Sequence, residues 1–221
     1  GGNVSAVSNS NSFTVDTTAP AAPVVVNPAN GSVSNDTTPT VTGTAEANAS
    51  VAVFIDAVLV GTVTADALGN WSYTLLPGQA LAAGLRSATA RATDVAGNIG
   101  ALSGANSFTV DLSAPAAAVV VTPANGSRTN DTTPTITGTA DATDSVDVFI
   151  NGVLRGTVTA TAGDVWTYTL TAGQALAEGT YSVTAQATDL ASNVGPLSAA
   201  NVFTVDTTAP LAPSVLQPAN L

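Results

Sequence analysis

The 221-residue chain has no Cys, no His and no Met, only four basic residues, and aromatic side chains at just 5% of positions. Each absence excludes a class of chemistry. Without Cys there are no disulfides, thiolate nucleophiles or zinc fingers; without His the commonest acid-base group and transition-metal ligand is missing. An enzyme is not expected from such a set. Fifteen acidic residues leave a formal charge of -11, which repels nucleic acid. Apolar runs such as Val24 to Val26 and Val51 to Ile55 fall far short of the roughly 18 residues that cross a bilayer, and no basic-plus-apolar leader is visible, so no membrane insertion is expected. What stays open is the chemistry of hard cations bound through oxygen.

What the sequence does contain is a repeat. TVDTTAP at residues 14–20 returns as TVDLSAP at 109–115 and as TVDTTAP at 204–210. PANGS at 28 and 123, NDTTPT at 35 and 130, TGTA at 42 and 137 and GQALA at 78 and 173 keep the same offset of 95 without a gap. Roughly two-thirds of positions agree between the two full copies, which points to duplication within one gene. With the boundary set after the Asp of TVD, residues 17–111 and 112–206 are complete units. Residues 1–16 match the end of a preceding unit and 207–221 the start of a following one.

Each unit reads as all-β, because its segments alternate at period two, are rich in Val and Thr, and are bounded by Gly, Pro, Asn and Asp. In the first copy the pattern predicts strands near 22–27, 38–44, 50–56, 58–65, 70–76, 86–93 and 104–110. Seven strands in about 95 residues suit an immunoglobulin-like β-sandwich, repeated in tandem as a rod. Alternation turns Val51, Val53, Ile55, Trp71, Tyr73, Leu75, Ala88, Ala90, Ala92, Phe108 and Val110 inward. Trp71 and Trp166 could serve as sugar-stacking platforms, but their phase with inward Tyr and Leu favours the core. Rows such as Thr62 and Thr64 are short and fit ordinary outward strand positions better than an ice-binding array.

The acids fall mainly in loops and linkers. In a seven-stranded antiparallel sandwich alternate loops share a pole, so one end of the first unit collects Asp16, Glu46, Asp66, Asp94 and Asn98. The second collects Asp111, Asp141, Asp144, Asp164, Asp189 and Asn193. Clustered carboxylates repel one another unless a cation sits among them, and Ca²⁺ takes six to eight oxygens. The residues shared by both copies are the first-choice ligands: Asp16, Glu46, Asp94 and Asn98, then Asp111, Asp141, Asp189 and Asn193, with Asp206 beginning a third set. Asp66, replaced by Thr161 in the second copy, reads as a turn residue. Turn chemistry is the competing account of the others too, because Asp and Asn close Asx turns.

The loop ATDVAGN (92–98), the linker VDTTAP (15–20), NDTTPTVTGTAE (35–46) and GNWSYTL (69–75) together resemble the bacterial immunoglobulin-like repeats of giant surface adhesins. The likeness covers essentially the whole chain. ATDLASNV (187–194) departs from it by Ser192 in place of Gly97 but keeps Asp189 and Asn193. The resemblance implies an extracellular, bacterial cell-surface extender that supports adhesion and biofilm formation, exported by a type I route, with Ca²⁺ at the linkers. Its partners would be neighbouring repeats, and the tip that binds a target lies outside this sequence. The net charge and the prolines near the first strand argue for a monomer. A directly glycan- or ice-binding module is the alternative reading.

Overall fold

The computed structural model describes residues 1–214, and the chain divides into two compact units, Gly1–Asp111 and Leu112–Leu221. In the first, strands β1 (Val24–Asn27), β3 (Thr40–Thr44) and β6 (Asn70–Thr74) form one antiparallel sheet in the order β1-β3-β6. The facing sheet contains β2 (Val33–Ser34), β4 (Ser50–Ile55), β5 (Val58–Thr64), β7 (Gly84–Thr93) and β9 (Asn106–Val110), ordered β2-β9-β7-β4-β5, with β8 (Ile99–Leu102) paired to β7. The second unit repeats this arrangement. Its three-stranded sheet is β10 (Val119–Thr122), β12 (Thr135–Thr139) and β15 (Val165–Thr169). Its larger sheet holds β11 (Arg128–Thr129), β13 (Ser145–Ile150), β14 (Val153–Thr159), β16 (Gly179–Thr188), β17 (Val194–Leu197) and β18 (Asn201–Val205).

Period-two alternation accounts for the core. Val51, Val53 and Ile55 on β4 are buried, as are Ala88, Ala90 and Ala92 on β7 and Phe108 and Val110 on β9, while the residues between them, Phe54 excepted, are polar or small. From the opposite sheet Val41 and Trp71 close over them, with Leu75 just beyond β6. Trp71 is 4% exposed and Trp166 is 1% exposed, so both indoles are core side chains and neither can stack on a ligand. Tyr73 and Tyr168 sit half-buried at the edge of this core. The Tyr73 hydroxyl donates to the Val60 carbonyl at 2.6 Å, and the Gln79 side chain ties that same carbonyl to the Leu76 N–H.

Two glycines are dictated by the indoles. Gly43 lies opposite Trp71 in the β3–β6 register, and a Cβ added there would fall 2.5 Å from the Trp71 ring and 2.0 Å from the Val24 carbonyl oxygen. At Gly138 the same atom would lie 2.3 Å from Trp166 and 1.9 Å from the Val119 carbonyl oxygen. The indole therefore occupies the space a side chain on the neighbouring strand would need, and the backbone of β1 or β10 blocks any retreat.

All seven expected strands of the first repeat are present, with ends shifted by up to about two residues. The sandwich also has two short strands that the pattern did not predict. β2 comprises two residues paired in parallel with β9, Val33 to Thr109 and Ser34 to Val110, and it buries neither side chain, so it leaves no alternation to detect. β8 is a largely exposed, glycine-containing strand. It is followed by buried Ser103, whose Oγ accepts the Ala90 N–H at 2.9 Å and donates to the Gly104 carbonyl at 2.7 Å. Ser198 repeats this bond pair with Ala185 and Ala199. A single turn of 3-10 helix, Pro77–Gln79 and Ala172–Gln174, precedes β7 and β16. The overpacking at the indole gives a direct test: Gly138→Ala is expected to cost about 1–3 kcal/mol in urea unfolding, whereas the same change at exposed Gly173, which has open space around it, should cost a few tenths.

Candidate functional site

The candidate acids lie on the turns after β3, β5 and β7 and on the segment that leads into the unit. In the first unit that segment is fixed by Pro20, which is buried and packs against Gly100 of β8; a Cβ on Gly100 would meet the Pro20 carbonyl oxygen at 2.4 Å. Pro115 takes the same place against Gly195 in the second unit. Upstream of Pro20, the Asp16 carboxylate accepts the Thr18 N–H at 2.9 Å, and its backbone carbonyl accepts a bond from the Asn98 amide at 3.1 Å. Asp16 and the β7–β8 turn are thereby joined.

That turn is an Asx motif. Asp94 Oδ1 accepts the N–H groups of Ala96 and Asn98 at 2.9 and 2.8 Å, and Oδ2 accepts the Asn98 side-chain amide at 2.8 Å. Gly97, at φ +95°, makes the bend. The Asn98 amide, aided by the backbone donors, holds the Asp94 carboxyl below its ordinary value of 3.8. Asp189 makes the same bonds to Asn193, at 2.8 and 2.9 Å. Its burial alone would raise the carboxyl, but the Asn193 side chain and backbone outweigh this and lower it. Ser192, at φ 72°, adopts the left-handed bend taken by Gly97 in the first copy.

The remaining candidates are less gathered. Glu46 and Asp141 are exposed at the turn after β3 and β12, each beside a surface hollow of about 370 and 510 Å³ respectively. Asp111 follows β9, with its N–H on the Ser34 carbonyl at 2.9 Å. Asp206 pairs with Arg128 at 3.4 Å and accepts the Thr208 N–H at 3.2 Å. Asp66 closes the turn before β6, accepting the N–H groups of Leu68 and Asn70, both at 2.8 Å. Among the described residues no three acidic side chains converge as a preformed metal cage. The donors present are carboxylate, amide and carbonyl oxygens, so a cation held here would be a hard one whose shell is completed by backbone and water oxygens.

One acid outside the recurring ligand set has no acidic counterpart in the first repeat. Asp144 replaces Ala49 of the first copy, yet it is 4% exposed, and its carboxylate Oδ2 is buried without a hydrogen-bond partner. Burial, and then the neighbouring charges of Asp141 and Asp189, push its carboxyl above the ordinary value. The signal was in the sequence: residue 144 is in phase with inward Val146, Val148 and Ile150.

Comparison with known families places this architecture. The model of the bacterial Ig-like domain matches residues 27–112 and 122–207. The chain belongs to the bacterial Ig-like domain family. Among solved structures, the fibronectin(III)-like modules of Clostridium thermocellum CbhA share the fold at 16% identity and a TM-score of 0.54, over 83% of this chain and 93% of that one. A 1.5-MDa bacterial ice-binding adhesin aligns at 26% identity and a TM-score of 0.43, over 80% of this chain and 62% of that one. A Ca²⁺-stabilized adhesin with which an Antarctic bacterium binds ice aligns at 20% identity and 0.41, over 86% and 48%. This bacterial Ig-like chain thus spans less than two thirds of either adhesin structure. No curated protein matches the sequence.

The Asx turns make a pH prediction. A carboxyl whose folded value lies below its unfolded value of 3.8 adds stability that is complete above about pH 4 to 5 and is lost as the pH falls through the lower folded value. Asp94→Asn keeps the turn acceptor but removes this charge. It is expected to lower the urea midpoint at pH 7 and to approach the wild-type midpoint by pH 2, a convergence that midpoints measured across that range would reveal.

Proposed function

We propose that this chain is a run of spacer repeats from a bacterial cell-surface adhesin, in which Ca²⁺ taken up at the acid-bearing ends of the repeats stiffens the linkers. The observation that carries the reading is the repetition of one sandwich, with the same core, the same Asx turn and the same buried linker proline, in a family of bacterial Ig-like domains. Catalytic and binding residues are disproportionately carried on loops held by a rigid scaffold. Here both copies keep short turns closed by their own hydrogen bonds, and the indoles that might have stacked on a sugar lie in the core.

In this reading Asp16, Glu46, Asp94 and Asn98 would hold one ion, and Asp111, Asp141, Asp189 and Asn193 the next, with Asp206 leading into a further set. The ion supplies charge neutralisation between carboxylates that otherwise repel. The protein supplies ligands from both sides of a linker: Asp16 and Asp111 each follow the TV of one repeat, while the others belong to turns of the repeat that comes after. Asp94 and Asp189 come preset, because Asn98 and Asn193 fix their orientation and Oδ2 retains a lone pair. The partners are neighbouring repeats of the same chain, the protein works as a monomer, and its location is the extracellular bacterial surface.

Binding only to the folded state raises stability by mass action. Millimolar Ca²⁺ is therefore expected to raise the melting temperature, and EDTA to reverse the rise while broadening the distance distribution in small-angle scattering. Identical melting and scattering curves with and without Ca²⁺ would refute linker stiffening.

A further inference from the structure

The two copies differ most consequentially at one buried position. Ala49 and Asp144 occupy the same place: their N–H groups bond to the Glu46 and Asp141 carbonyls, both at 3.1 Å, and their carbonyls accept the N–H groups of Ala65 and Ala160 at 2.9 and 2.8 Å. Ala49 is 1% exposed and Asp144 is 4% exposed. A socket that takes a methyl group in one repeat therefore takes a carboxylate in the other. Burying a charge without a partner is strongly unfavourable, yet Asp144 Oδ2 is enclosed and accepts no hydrogen bond. The charged groups acting on it, Asp141 on the same turn and Asp189 on the β16–β17 turn, are both acidic. No basic side chain of the described residues is among the charges that act on Asp144. Asp141 also borders the 510 Å³ surface hollow, together with Asp164.

We infer that Asp144 is an additional oxygen ligand which, with Asp141 and Asp189, makes the second repeat a tighter site for a divalent cation, Ca²⁺, than the first. The inference rests on the reading of these turns as cation-binding and adds that the repeats are unequal. The buried oxygen lacks what a cation supplies, a positive partner inside the protein. Asp141, exposed on its turn, is free of burial constraints and closes toward the ion, while Asp189 is already oriented by Asn193. Carbonyl and water oxygens complete the shell. In the first repeat Ala49 offers nothing, and the site there has one carboxylate fewer.

The first repeat supplies the control substitution, since it shows that this fold accepts Ala at the position. Calorimetric titration of the full chain with CaCl₂ at pH 7.5 is expected to resolve a tight and a weaker class. Asp144→Ala should weaken the tight class by about tenfold or more, as Ca²⁺ affinity follows ligand charge. Ala49→Asp should strengthen the weaker one. Without Ca²⁺, Asp144→Ala should melt higher than wild type, and saturating Ca²⁺ should cancel or reverse that difference. Superimposable wild-type and Asp144→Ala isotherms, with the variant equally stabilised with and without Ca²⁺, would overturn the inference alone and leave Asp144 a buried carboxyl that holds no ion. Uptake lost in Asp94→Ala but unchanged in Asp144→Ala would also overturn it while upholding the general cation reading. Uptake lost in Asp144→Ala but unchanged in Asp94→Ala would uphold Asp144 and reject the shared ligand set. No uptake by any chain would reject both.

Discussion

The contact on which each sandwich depends is the seating of one indole against a glycine on the adjacent strand. With only 5% aromatic residues and alanines along β7 and β16, the core has few large side chains to fill it. Trp71 and Trp166 supply much of that volume, and they fit because Gly43 and Gly138 present bare backbone. The small alanines opposite let the two sheets approach closely enough to be closed by Val41 or Ile136, Phe108 or Phe203 and a few other valines. Interiors are packed as densely as organic crystals, so complementarity of this kind is as much a part of the fold as the hydrogen-bond ladders.

A fixed core frees the turns to carry charge. The acids occupy positions where backbone donors are already available: Asp66, Asp94 and Asp189 each accept N–H groups from the residues that follow them. Turn formation and cation binding are therefore not exclusive roles for the same carboxylate. An Asx turn consumes one oxygen and orients the other, which is how a short loop can hold an acidic side chain ready without lengthening into a dedicated binding loop. Asp144 differs from these three: its Oδ2 is buried with no hydrogen-bond partner, and two acids act on it.

Much of this was legible in the residues. The exact 95-residue offset and the period-two pattern specified the tandem sandwiches and the inward faces of β4, β7 and β9, because burial on one face leaves a regular trace in composition. β2 left none, since its pairing with β9 is made by backbone groups and its two side chains are not in the core. The position of Asp144 was obscured by requiring ligands to recur in both copies; alternation with Val146 would have placed it inside. That Asp94 is engaged by Asn98 was implicit in their spacing of four, but Asp16 reaching Asn98 through its carbonyl rather than its carboxylate could not be read from side-chain identity.

The pairing of β2 with β9 has a mechanical meaning. The two strands lie near opposite ends of a repeat in sequence, yet they run parallel, and their ladder is extended by Thr109 N–H to Ser32 and Asp111 N–H to Ser34. Tension applied to the chain on either side of the repeat drags β2 and β9 in opposite directions along their common axis. The hydrogen bonds are then loaded side by side and must break together, rather than being unzipped one at a time as at the open end of a hairpin. Under such a pull a strand of two residues, negligible as a contributor to the core, would resist as a shear clamp once β1 is drawn away from β3.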